Sequence, residues 1–249
     1  HADLDHLAKL LVDTGAEARG PAVVVTDSAF SMDGDVADID GLVEACAGRD
    51  ALLVLDEAHA VLGPDVAIGR AASHHGVTVL RMGTLSKALG SLGGFVAGPQ
   101  RYVDLLRNRA RPFIFTTAPT PADVAAGLAA VRIVRSGEGD ALVARLRRHV
   151  DRVRAGHPTP IVPVVLGDET TAMAAADALL DAGLLVPAIR PPTVPVGTSR
   201  LRVALSAAHT DEQVDRLVAA LAALPRPAPP APAPEPAPTE PPGGQPAPA

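Results

Sequence analysis

Apolar positions along the chain follow two alternating rhythms. Leu4, Leu7, Leu10 and Leu11 repeat at helical spacing near the start. Residues 22–28 (Ala-Val-Val-Val-Thr-Asp-Ser) are apolar and β-branched, which predicts a buried strand. Asp38 to Arg49 predicts an amphipathic helix with an Asp near its start. Further strands are predicted at Ala51–Leu55, ending at Asp56; at Val77–Met82, ending in Gly83-Thr84; and at Gly94–Gly98. Strands alternating with helices predict an α/β fold with a mostly parallel sheet covered on both faces. Such sheets bind ligands beyond the carboxyl ends of their strands. Ser31, Asp56, His59, Thr84 and Lys87 all lie just after predicted strand ends, so the pattern predicts one shared site.

From Pro121 the pattern changes. Helices are predicted at Pro121–Ser136 and Asp140–Ala155, and His157-Pro158-Thr159-Pro160 breaks the chain. A strand (Ile161–Leu166), a helix (Glu169–Ala182), a strand (Leu185–Ile189), a Pro-rich turn, a strand (Arg200–Ser206) and a helix (Asp211–Leu224) follow. The expected organisation is a larger domain over residues 1–135 and a small α/β domain over 136–224. Residues 225–249 hold 12 of the 25 prolines and predict a disordered or polyproline-like tail, too poor in apolar area to offset its ordering entropy.

Composition narrows the function classes. The chain has 249 residues, 47% of them hydrophobic, and a formal charge of −6. An acidic balance with 2% aromatics argues against a nucleic-acid surface, which needs a basic field and stacking rings. No uninterrupted apolar run is long enough to span a bilayer, and no leader pattern opens the chain. The single Cys46 rules out an internal disulfide and fits a reducing cytoplasm. His1 stands inside a predicted helix, so the expectation is a fragment whose N-terminus lies upstream.

Lys and Arg total 22, and Lys9 and Lys87 are the only lysines, leaving 22 − 2 = 20 arginines. Where only charge is needed, this chain uses Arg. Arg keeps its proton and cannot serve as an amine nucleophile, whereas Lys can. Lys9 reads as a solubilising residue on an exposed helix face. Lys87 sits in the turn Thr84-Leu85-Ser86-Lys87-Ala88-Leu89-Gly90, where hydroxyls beside an amine suit a phosphorylated aldehyde. The bland alternative is a surface turn with a solvated lysine. Asp56-Glu57-Ala58-His59 alone spells a helicase motif, but no G-x-x-x-x-G-K-[ST] loop accompanies it. A capping Asp and a packed His are the structural alternative there.

The motifs fit one role together. A pyridoxal-phosphate (PLP) site needs a lysine to hold the aldehyde and a carboxylate against the pyridinium nitrogen. It also needs donors for the phenolic oxygen and phosphate, and commonly an arginine fork for a substrate carboxylate. Phe30-Ser31-Met32-Asp33-Gly34-Asp35, Asp56-Glu57-Ala58-His59, Thr84-Leu85-Ser86-Lys87 and Ser206-Ala207-Ala208-His209 occur in the order seen in the α-oxoamine synthases, PLP-dependent enzymes of fold type I. The resemblance spans about residues 1–224. The run Ile189 to Arg202 is most similar to the branch that makes 8-amino-7-oxononanoate in biotin synthesis.

The resemblance implies the fold-type-I transferase architecture and a homodimer with its active site at the interface. It implies condensation of L-alanine with a pimeloyl thioester, on CoA or a carrier protein, with loss of CO2. Lys87 matches the lysine that holds PLP and then takes the Cα proton; Asp56 matches the partner of the ring nitrogen. His59 and Ser31 match residues near the phenolic oxygen, Thr84 a phosphate ligand, Arg202 the arginine for the amino-acid carboxylate, and Thr193 a substrate contact. Thr116 and Thr117 resemble a segment reaching the neighbouring subunit's phosphate. Arg200 reads as a surface residue beside Arg202. Two departures are present: Ala60-Val61-Leu62-Gly63 is shorter than the Gly-rich stretch of many members, and the family's N-terminal portion is missing. Rival readings are another α-oxoamine synthase, such as glycine C-acetyltransferase, and a non-catalytic truncated remnant.

Overall fold

The first sheet forms where the β-branched runs predict it. The computed structural model describes residues 1–17, 22–49, 51–60 and 76–224; the Pro-rich tail at 225–249 and most of the short stretch after His59 lie outside the described residues. Helix α1 (Leu4–Glu17) leads into β1 (Ala22–Asp27), α2 (Ile39–Cys46), β2 (Ala51–Asp56), β3 (Thr78–Thr84) and β4 (Gly94–Ala97). Sheet order is β1-β2-β3-β4. β1, β2 and β3 run parallel, and β4 returns antiparallel to β3.

Asp38 explains where α2 begins: its carboxylate accepts from the Gly41 N–H, satisfying a donor the helix end would leave open. The apolar face of α2 then packs on one face of the sheet. Leu42, Val43 and Cys46 meet Val24, Leu53 and Leu55 in a single cluster. Val23 and Val25 point to the opposite face and are 59% and 65% exposed. The expectation of a sheet covered on both faces therefore holds for one face of β1.

Helices α3 (Gln100–Arg109) and α4 (Arg111–Ile114) follow β4 and were not legible in the apolar rhythm. Neither buries a residue, so no apolar stripe had to be written into them. α5 (Pro121–Val134) begins as predicted, with Thr120 as its cap. α6 (Gly137–Val153) starts earlier than Asp140. Gly139 there is a packing choice, because a Cβ would lie 2.5 Å from the Ile133 carbonyl oxygen.

The second sheet holds β5 (Ile161–Gly167), β6 (Ala188–Ile189) and β7 (Ser199–Ala204) in the order β5-β7-β6, all antiparallel. β6 is two residues long rather than the five predicted over Leu185–Ile189. Leu185 is 85% exposed, and Pro187 lacks an N–H, though its carbonyl still accepts from Arg202 N at 2.9 Å. α7 (Glu169–Asp181) and α8 (Asp211–Ala223) complete this half. Leu179, Leu201, Val162, Val203 and Leu217 form its core with Leu146 and Val150 of α6. Among the described residues no helix is long and apolar enough to cross a membrane.

Candidate active site

The carboxyl ends of β1 and β2 stand side by side. Asp27 is paired in register with Asp56, and Asp56 with Met82 of β3. The chain turns sharply after each strand. Ser28 donates to the Asp56 carbonyl through its N–H (2.8 Å) and its hydroxyl (3.1 Å), and Glu57 N donates to Met82 O at 2.7 Å. Asp56 Oδ1 accepts from Ala58 N at 2.8 Å, which closes the turn that carries His59. Glu57 leaves the other way: both its oxygens accept from Arg81 Nε at 2.9 Å. Of the acidic pair, Glu57 is thus used by the fold, and Asp56 faces a cleft.

That cleft, about 110 Å³, is lined by Asp27, Ala29, Ser31, Asp56, Ala58, His59 and Lys87. Lys87 Nζ lies 2.9 Å from His59 Nε2. An ammonium donates and never accepts, so with Lys87 charged His59 Nε2 is the acceptor of this contact. Lys87 is exposed overall. Four residues singled out from sequence, Ser31, Asp56, His59 and Lys87, are therefore brought together.

The electrostatics follow from the crowding. Burial first, then the cations of Lys87 and Arg202, hold His59 below the usual imidazole value of 6.5, against the opposite pull of Asp56. Asp27 is pushed above the usual carboxyl value, mainly by burial and next by the Asp56 charge, with Lys87 opposing. A histidine whose folded pKa is depressed leaves the unfolded chain to take up the proton first. Its contribution to stability is complete above about pH 6.5 and declines as pH falls through the folded value. His59→Gln is expected to flatten the fall of stability as pH drops below about 6.5. Urea midpoints across that range check it; parallel curves for the two proteins would contradict the shift.

The remaining sequence-predicted residues are placed differently. Thr84 lies at the end of β3 in the Lys87 turn, but its hydroxyl is engaged, donating to Gly93 O at 3.1 Å and accepting from Ser86 N at 3.1 Å. Ser86 Oγ is 2.6 Å from the same oxygen. Arg202, on β7, reaches the site from the second sheet: its Nε donates to the Ser31 carbonyl at 2.6 Å. Burial lowers the pKa of this guanidinium. Among the described residues no bond to either Nη atom of Arg202 is recorded, which leaves its fork open. Thr193 is exposed in the Pro-rich turn, its N–H bonded to Arg190 O at 3.1 Å. Thr116 and Thr117 are exposed and away from the cleft walls. Arg200 is not the surface residue expected: it is 6% exposed and ion-paired with Asp33. Asp27 is a residue that sequence reasoning missed. Its signal was available, since Asp27 closes β1 as Asp56 closes β2.

Comparison with known proteins places this arrangement. The family model for aminotransferase class I and II matches residues 1–221. The chain belongs to that family. It is similar to the 8-amino-7-oxononanoate synthase of Anaeromyxobacter sp. (strain K), 49% identical over 235 residues, which are 90% of this chain and 58% of that protein. The 8-amino-7-oxononanoate synthase of Halorhodospira halophila is 48% identical over 245 residues, 91% of this chain and 58% of that protein. The chain thus spans somewhat more than half the length of these relatives. Among solved structures, a serine palmitoyltransferase from S. paucimobilis with a bound PLP–myriocin aldimine matches with a TM-score of 0.78 at 30% identity, covering 88% of this chain and 58% of that one. An 8-amino-7-oxononanoate synthase from Francisella tularensis matches at 0.65 with 22% identity, covering 85% and 64%, and shows the shared fold. The α/β architecture shared with these proteins is the one described above.

Proposed function

We propose that this chain is part of a PLP-dependent acyltransferase that condenses L-alanine with a pimeloyl thioester and releases CO2 and 8-amino-7-oxononanoate. The observation that carries the reading is the Lys87 amine held 2.9 Å from a neutral His59 in a cleft shared with Asp56. In this reading residues 1–135 belong to the cofactor-binding domain and 136–224 form the small domain.

The donor set fits the cofactor. An amine, a carboxylate, an imidazole and a serine line one opening. Bound PLP supplies an aldehyde that captures an amine and a protonated ring that delocalises negative charge from the substrate Cα. Asp56 keeps the ring nitrogen protonated by charge-assisted hydrogen bonding. His59 Nε2, 2.9 Å from the Lys87 amine, holds that amine at the cleft. The Lys87 amine would hold the aldehyde and would be the base for the Cα proton of L-alanine. The open fork of Arg202 binds the alanine carboxylate bidentately, and Thr193 contacts the substrate. Ser31 and His59 orient the phenolic oxygen. Thr84 would hold the phosphate, and Thr116 and Thr117 would serve the partner subunit's phosphate in a homodimer.

The cleft is smaller than the ~300–1,000 Å³ common for ligand pockets, so the described residues wall part of the cofactor's space. That agrees with a chain spanning 58% of its relatives. Turnover of alanine with pimeloyl-CoA or pimeloyl carrier protein, against glycine with acetyl-CoA, tests the reading. The first pair should give product by mass spectrometry. Turnover of the second pair alone would move the assignment to glycine C-acetyltransferase.

A further inference from the structure

The loop that brings Ser31 to the cleft is fastened to the second sheet at three points. β7 is the central strand of that sheet, and Arg200 and Arg202, two residues apart, project from the same face of it. Two residues of strand span ~7 Å. Across that span the arginines grip the loop at matching intervals: Arg202 Nε donates to the Ser31 carbonyl, and an Arg200 Nη pairs with the Asp33 carboxylate. Arg200 Nε is also spent, on Thr198 O at 2.9 Å, which fixes the plane of its guanidinium. The third point is Gly34. The buried Thr159 hydroxyl donates to Gly34 O at 2.7 Å. Gly34 has φ +64°, and a Cβ there would lie 1.8 Å from the Ile161 carbonyl oxygen, so the loop lies directly on the backbone of β5.

We propose that Arg200 is a positioning residue: the pair of its buried guanidinium with Asp33 sets the register of the Phe30–Asp35 loop on β7, and so the separation between the Arg202 fork and the Lys87 amine. This rests on the reading above, in which Arg202 holds the carboxylate of the amino acid whose nitrogen replaces Lys87. An α-amino acid spans a fixed distance between those groups. A loop free to slide along β7 lets Ser31 and Arg202 shift relative to Lys87, and small misplacements of a bound substrate are costly. Arg200 touches neither the cleft wall nor, in this reading, the substrate. Its partner carboxylate is 42% exposed, and the guanidinium side chain 7%. Lysine, with a single rotatable charge, cannot serve Thr198 and Asp33 together in a fixed plane.

The test compares Arg200→Gln and Asp33→Asn with the unaltered chain. The first readout is hydrogen exchange at residues 30–35 without cofactor, which is independent of the functional reading. Both variants are expected to speed exchange there by about tenfold or more while α7 and α8 keep their protection. The second readout, at saturating PLP, is the split of kinetic constants. KM for alanine should rise about tenfold with KM for the thioester near its original value. The double variant should be no worse than either single one, because both remove the same contact. Unchanged exchange at 30–35, or equal loss across both substrates, would overturn the proposal. Asp33→Asn, at a half-exposed position, keeps the test open where Arg200→Gln lowers folding yield. If unaltered protein binds no PLP, the functional reading fails, and the exchange data still decide whether Arg200 pins the loop.

Discussion

Borohydride reduction of this protein with PLP is expected to leave one phosphopyridoxyl group on the peptide carrying Lys87, and Lys87→Arg is expected to abolish it. The chain has two lysines, so the competition is simple. Lys9 lies exposed on α1, away from the cleft. Lys87 lines the cleft, with its Nζ 2.9 Å from His59 Nε2, where an aldehyde can be held. Arginine keeps the positive charge near Asp27 and Asp56 but cannot form the covalent bond, so the exchange separates charge from nucleophilicity. Loss of the base alone should lower turnover by about 10²–10⁴-fold. Lys9→Arg should retain full labelling. Peptide mass mapping reads the outcome, and label confined to Lys9 or the terminal amine would remove Lys87 from the chemistry.

Asp56→Asn is expected to lower kcat by about 10²–10³-fold, the scale of one well-placed electrostatic group. The substitution is nearly isosteric, and the amide oxygen can still accept from Ala58 N–H, so the turn bearing His59 keeps its closing bond. Folding stability should change by no more than about 0.5–1 kcal/mol. Charge is what is lost. Without it the ring nitrogen of the cofactor has no anion to hold its proton, and negative charge at Cα is poorly delocalised. Stopped-flow kinetics beside a thermal melt separate these effects. An Asn variant with unaltered kcat would mean that another group, with Asp27 the nearest, serves the nitrogen.

Much of this site could be read in the sequence because parallel strands write their ends plainly. Asp56 and Thr84 close apolar runs, and His59 and Lys87 fall three residues beyond, so alignment of β2 with β3 is enough to bring them together. Asp27 was overlooked because it stands inside a polar Thr-Asp-Ser stretch with no motif of its own, although its in-register pairing puts it on the same rim. Arg200 was misjudged for a physical reason. Alternation along β7 shows that Arg200 and Arg202 share a face, but not that a loop from another part of the chain covers it. The partner, Asp33, is 167 residues away, beyond any local rule. α3 and α4 escaped notice because they bury nothing, and burial is what leaves a periodic trace. β6 came out short because Pro187 accepts one bond through its carbonyl and can donate none.

The bare outer side of β1 has a practical consequence. β1 is the edge of its sheet among the described residues, with two valines facing water and a row of backbone groups open on one flank. Such a margin recruits other chains by strand addition, and the propensity grows with protein concentration. At high concentration, pairing of chains through this strand is the route to aggregation that the exposed margin opens.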